Sequence, residues 1–390
     1  MTPPFDQRRT LALAGILLHM AAVGVVMGVA IPLTGLAMNG WGEPGWRIGL
    51  VAAMPSVAIV TTIPLAPRLV RSIGAWPAMV GGCLLGTAAL LLMPLLPNVP
   101  AWVVLRFLIG AGLALPWLLG ETWLNALSTD RNRGRVLALY SAALFLGFAV
   151  GPQLLAVTGS DGWPPFLAAG GALFLAILPL LPLRSQAPDL RQPSTFSVAG
   201  LLRRSPVVAA TALAAGFTEM AVFALLALAA TRSGQSEAWG LTQLSAFLMG
   251  GIALQLPLGI LSDRLPRRPL LFGLAVGGLL LALALPLAGG HDLLALAVCF
   301  LLGGALIGYY ALGLAILGES FAGSDLAVAN AGFILLYEVG SITGPAVGGL
   351  LIDGFPLWGL PAPLAAASAL LCGVLIVSRR RLTRGDRQLR

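Results

Sequence analysis

Gly259-Ile260-Leu261-Ser262-Asp263-Arg264-Leu265-Pro266-Arg267-Arg268-Pro269-Leu270-Leu271 is the stretch on which the fold turns. It sets one acid and three arginines in a gap between two apolar runs, approximately 239–258 and 270–288. Each run is about as long as a helix must be to cross the ~30 Å hydrocarbon core of a bilayer. A short basic gap between two such runs reads as a loop on the cytoplasmic face.

The same alternation fills the 390 residues, with further apolar runs at approximately 11–38, 48–66, 77–96, 102–124, 136–157, 164–183, 206–231, 294–317, 326–352 and 359–377. The chain is 58% hydrophobic and 10% charged. Soluble domains carry about 25% charged residues, so this one would leave its apolar surface in water. Lipid offers no partner to an unpaired backbone group, so the spans must be helices. Their long unbroken runs are unlike the short alternating strands of a barrel.

Net charge is +8, and every one of the 23 basic residues is Arg. Twenty lie in alternate gaps and the two ends of the chain, two (Arg47 and Arg232) in the opposite gaps, and Arg106 within a span. That bias places both termini in the cytoplasm and makes nucleic acid an unsuitable partner; the basic tail suits anionic lipid. Cys83, Cys299 and Cys372 lie in apolar runs at no metal-binding spacing and read as small buried hydrophobes. The first run is too long for a signal peptide. Trp41, Trp46, Trp163, Trp239 and Trp358 stand near span ends, as interfacial anchors do.

The longest gap, 184–205, divides the chain into a six-helix bundle over 1–183, a cytoplasmic linker, a second bundle over 206–378 and a basic tail over 379–390. The halves echo each other. With a shift of 193, Pro64-Leu65 falls on Pro257-Leu258, and Gly147, Gly151 and Pro152 fall on Gly340, Gly344 and Pro345. Leu119-Gly120-Glu121-Thr122 matches Leu317-Gly318-Glu319-Ser320 after a five-residue gap. A shift of 200 puts His19-Met20-Ala21 on Glu219-Met220-Ala221. Repeats of this kind build transporters with a site near the midplane. The reading is an all-α membrane protein: twelve transmembrane helices in two pseudo-symmetric six-helix bundles around a central cavity.

The stretch from Gly259 to Leu271 resembles the loop signature of the Major Facilitator Superfamily, with Pro266 in place of the second glycine. Gly259 would permit close helix packing there, and Asp263 would meet a helix N-terminus or an arginine. The first-half counterpart, Ala66 to Gly74, has Val70 at the position of the acid. Arg106-x-x-x-Gly110 is similar to the superfamily's span-four arginine motif. The run from Gly340 to Gly349 resembles one that drug/proton antiporters carry in span five, but here the fuller copy lies in span eleven. Glu121-Thr122-Trp123-Leu124 resembles a bacterial subgroup with E-[ST]-W-L at this place.

A charge at the bilayer centre costs roughly 2.5–3.5 kcal/mol on insertion scales, so each one needs a reason. Glu219 lies midway along span seven, which lines the cavity in the resembled superfamily. It reads as a proton-coupling or substrate-contacting carboxylate, or as a hydrogen-bonded link between helices. His19 reads as its counterpart, sharing protons with it, or as an imidazole held by a backbone carbonyl. Arg106 would bind an anionic group, pair with a carboxylate, or snorkel to the outer interface. Glu338 reads as a structural hydrogen-bonding group or a cavity residue. Gln243, Gln255, Tyr309 and Tyr310 are uncharged cavity candidates, although consecutive tyrosines on a helix face directions about 100° apart.

Glu121 and Glu319 belong at the cytoplasmic end. Glu121 would pair with Arg71 or Arg135, and Glu319 with Arg264 or Arg267, either as an inner gate or as a static scaffold. No Walker loop, dinucleotide fingerprint or metal-ligand cluster is legible, so no cofactor is expected. The resemblance implies a secondary transporter of the inner membrane, monomeric and working by alternating access. A small amphipathic or weakly charged solute, H⁺ coupling and efflux are the expectation. The alternative is a non-transporting sensor or assembly factor on the same fold.

Overall fold

A computed structural model describes residues 7–128, 133–186, 204–288, 291–321 and 323–388. All regular structure among them is helical. Twelve helices among the described residues are long and apolar enough to cross a membrane: Arg9–Gly40, Gly45–Ile73, Ala75–Leu95, Val99–Leu124, Leu139–Thr158, Pro164–Arg184, Pro206–Arg232, Glu237–Arg264, Arg267–Ala288, Asp292–Ser320, Val328–Ile352 and Pro361–Arg379. They are spans one to twelve below. Most of the linker expected at 184–205 lies outside the described residues.

Span two runs further than its composition suggests. Pro64 sits in a 3-10 turn, Ile63–Leu65, and an amphipathic helix, Ala66–Ile73, carries the span on. Val70 is buried on that helix, whereas Asp263 at the matching place of the second half is exposed. The first-half segment is therefore a packed helix end, where an acid would be buried. Gly74, at φ 90°, ends it in a conformation that suits glycine.

The chain divides into two compact units. One comprises Met1–Gly42 and Met54–Pro193; the other comprises Glu43–Ala53 and Ser194–Arg390. Span two is thus shared, its first turns counting with the second unit.

Each unit has close seams of small residues, among them one between its first and fifth spans. In the first, spans one and five meet so closely that a Cβ on Gly24 would lie 2.1 Å from Leu144 O, and one on Gly147 2.1 Å from Ala21 O. In the second, spans seven and eleven meet likewise: a Cβ on Gly216 would lie 1.9 Å from Tyr337 O, and one on Gly340 2.3 Å from Leu213 O. Gly151 and Gly344 extend the two seams, against Gly28 and Phe217. Lipid supplies no hydrophobic drive between helices, so backbone approach through small residues takes its place. Pro152 and Pro345 follow within the same helices.

The seams fix the register of the repeat. Gly24 corresponds to Gly216 and Ala21 to Leu213, a shift of 192 in both cases. On that register His19 matches Thr211, and Glu219 matches Met27. The expected equivalence of His19 with Glu219 is therefore wrong by eight residues, about 12 Å along a helix. Gly259 also departs from expectation: a Cβ there would have nothing within 4 Å, so it is not a packing glycine in this structure.

Candidate functional site

Glu219 stands on span seven beside the small-residue seam that joins it to span eleven. It is 4% exposed. Tyr337, on span eleven, donates its hydroxyl to Glu219 Oε2 at 3.0 Å, and Oε1 has no partner. No arginine or histidine pairs with Glu219 among the described residues. Tyr310 of span ten lies edge-on to Tyr337, with centroids 5.1 Å apart, and to Phe333, 5.4 Å apart. Glu338 follows Tyr337 and is buried. A buried acid is thus held by one phenol amid aromatic rings.

Tyr309 does not join this group. Its hydroxyl donates to Ser368 Oγ on span twelve at 3.0 Å, and a Cβ on Gly278 of span nine would lie 2.3 Å from it. It ties three helices together and is withdrawn from the cavity candidates. Gln243 is buried, donates to Gln235 Oε1 at 3.2 Å and borders a cavity of about 70 Å³ with Ser233 and Pro356. Gln255 is exposed. A groove of about 750 Å³ along Pro206, Ala366 and Leu370 is mostly apolar, and none of the charged candidates lines it.

In the first unit His19 is fully buried, with Nδ1 2.7 Å from Ala176 O of span six. A carbonyl only accepts, so Nδ1 carries the proton of that bond. His19 is a strut between spans one and six. Arg106 does not snorkel: it is 1% exposed and donates from Nη1 to Ala30 O at 3.2 Å. Its Nε and Nη2 have no partner, and no carboxylate reaches it among the described residues. Thr34 Oγ1 donates to the same carbonyl at 2.9 Å.

At the arginine-rich end, Arg267 lies 3.1 Å from Glu319 Oε1 and donates to Ala315 O at 2.8 Å. Both partners belong to the second unit, and of the two expected pairings for Glu319 the one with Arg267 is formed. Arg9 likewise donates to Leu127 O, at the C-terminal end of the fourth helix of the first unit. A cation there complements the helix dipole. Asp263 and Arg264 are exposed and form no hydrogen bond or ion pair among the described residues. Arg71 is exposed, Glu121 is exposed near the end of its helix, and the Arg135 side chain lies outside the described residues.

The family model of the Major Facilitator Superfamily matches residues 11–244 and 233–389. The chain belongs to this superfamily. Among its curated relatives is YfkF of Bacillus subtilis (strain 168), an uncharacterized MFS-type transporter, 27% identical over 348 residues, covering 87% of this chain and 88% of the relative. A second, of Enterobacter sp. (strain 638), is 26% identical over 347 residues, covering 88% and 89%. In fold, the chain is similar to a mutant of the nucleoside transporter NupG, with TM-score 0.80, 13% identity and coverage of 94% and 99%. It is also similar to a bacterial homolog of the lysosomal transporter Spinster in an inward-facing, unoccupied conformation, with TM-score 0.74, 12% identity and coverage of 95% and 96%. This Major Facilitator Superfamily member is a multi-pass membrane protein and a secondary transporter, not an enzyme.

One cluster of this facilitator escaped the sequence. Within the second unit, Gly45 N–H, at the start of span two, donates to both oxygens of Asp353, at 3.0 and 2.7 Å. Arg232 donates to Asp353 Oδ1 at 2.7 Å and to Glu43 O at 2.9 Å. A carboxylate at a helix N-terminus is favourably placed. The only legible signal was that Arg232 is one of two arginines on the arginine-poor side.

Proposed function

We propose that this transporter couples the movement of a small amphipathic solute to a proton gradient, with Glu219 as the proton-carrying group and export as the favoured direction. One observation carries the reading: a carboxylate buried in a bilayer-spanning helix, bonded by one phenol and matched by no cation among the described residues. Such a group is costly as a fixed anion and stable when it takes up a proton or a positively charged ligand. The chain works as a monomer in the cytoplasmic membrane, with both termini inside; the arginine bias supports that orientation.

Gradient-driven accumulation in proteoliposomes, screened over solute pools, tests this. Glu219→Gln should abolish accumulation yet leave gradient-independent exchange within about tenfold of wild type. Full accumulation by the Gln variant would remove the proton role. A sensor or assembly factor would move no solute at all.

A further inference from the structure

We propose that the groove between the start of span seven and the arginine-rich half of span twelve holds one acyl chain of an anionic phospholipid, with Arg204 and Arg379 at its mouth to receive the phosphate. The site belongs to the second unit and is separate from Glu219, so it does not depend on the proton reading.

Span twelve has two unlike faces. Leu364, Ser368, Leu371 and Leu375 recur at helical spacing and are buried, Ser368 accepting the Tyr309 hydroxyl. Ala366, Ala369, Gly373 and Val377 form a second stripe at similar spacing, and this one is exposed. Together with Pro206, at the first position of span seven, the stripe bounds a groove of about 750 Å³. Its floor is open: a Cβ on Gly373 would meet nothing within 4 Å, whereas the glycines of the helix seams face carbonyls. From Ala366 to Ser378 the lining runs for about 18 Å at 1.5 Å per residue. Half of the ~30 Å hydrocarbon core is about 15 Å. The groove therefore has the length of one acyl chain, and it ends where charge begins. Ser378 is followed by the exposed Arg379, then by five more arginines and one acid up to Arg390. Arg204, two residues before Pro206, lies 3.0 Å from Asp325, with side chains 67% and 62% exposed. So screened a pair holds little energy and leaves Arg204 able to turn to a phosphate. Arginines clustered just past a span attract anionic headgroups, and the guanidinium fork suits phosphate. Among the described residues no acid lines the groove. A neutral apolar molecule would leave the arginines without a part. A second copy is a poorer occupant, since two copies meeting here about a two-fold axis along the bilayer normal would bring their arginine-rich ends side by side.

Dioleoylphosphatidylglycerol is the probe, added to delipidated full-length protein in detergent and counted by native mass spectrometry against dioleoylphosphatidylcholine. Wild type should retain one phosphatidylglycerol about tenfold more tightly than phosphatidylcholine. Gly373→Leu and Ala369→Leu each fill the groove from its floor, and each should weaken that binding more than about fivefold with an unchanged thermal melt. Gly273→Leu, on span nine and equally open, should bind as wild type does. Arg204→Gln combined with Arg379→Gln should cut the preference for phosphatidylglycerol at least about threefold. Glycerol phosphate, the headgroup without its chains, should not compete. Equal retention of both lipids by wild type overturns the proposal, as does undiminished binding by both groove-filling variants or equal loss in Gly273→Leu. A preference unmoved in the arginine variant overturns it too. Competition by glycerol phosphate would mean arginines without a groove, and a dimer that Gly373→Leu abolishes would make a second copy the occupant; either result contradicts a lipid site.

Discussion

Arg106 is an isolated buried charge at which an effect on function can be told from one on stability. Its guanidinium meets one carbonyl and no acid among the described residues. Removing it orphans no partner, and replacing buried charge by apolar groups is often neutral or stabilising. Arg106→Met should therefore melt no more than a few degrees from wild type while transport falls more than tenfold; parallel loss of both would make Arg106 a structural residue. His19 gives the opposite case. An Asn side chain can offer an N–H to Ala176 O, so His19→Asn should leave the pH profile of transport unchanged. A displaced profile would restore His19 to the proton path. The sequence showed which residues were out of place in lipid but not which atoms they met. Tyr309 and Tyr310 are adjacent, yet one is fixed to Ser368 and the other joins the aromatic group.

At the scale of the element, the repeated Gly-x-x-x-Gly-Pro runs were legible, and the seams explain why. Each glycine lies where a carbonyl of the facing helix leaves no room for a Cβ. Gly147→Val and Gly340→Val should each destabilise the protein by about 1–3 kcal/mol or more, as overpacking does, read as a lowered thermal midpoint. Gly259→Ala should be silent in the same melt, since its surroundings are open. Equal loss in all three would mean that the seams are not where the packing resides. The register of the repeat was not legible to within a helical turn or two. A three-residue likeness at shift 200 competed with the true shift of 192, and only glycine-to-carbonyl spacing decides between them. A charge pattern shows only that Val70 stands at the position of the acid and cannot reveal that span two continues past Pro64.

For the molecule as a whole, the number of spans, the membrane and the superfamily were all present in the chain. The Asp353 cluster was not, because it joins backbone to side chains 308 residues apart. It holds the start of span two within the second unit, while the same span from Met54 onward counts with the first. Loosening it should free that helix end. Asp353→Ala removes a solvent-screened ion pair and a carboxylate at a helix N-terminus, worth up to about 1 kcal/mol each. It should raise the labelling rate of a cysteine placed at Trp46 several-fold; an unchanged rate would make the cluster inert to motion. In the proposed cycle a solute crosses the bilayer in exchange for protons carried by Glu219. The most direct test is solute-triggered proton movement in proteoliposomes, reported by a trapped pH dye. Wild type should change the internal pH on addition of a transported solute, and Glu219→Gln should not. Solute transport by wild type with a flat dye signal, or an equal signal from the Gln variant, would contradict it.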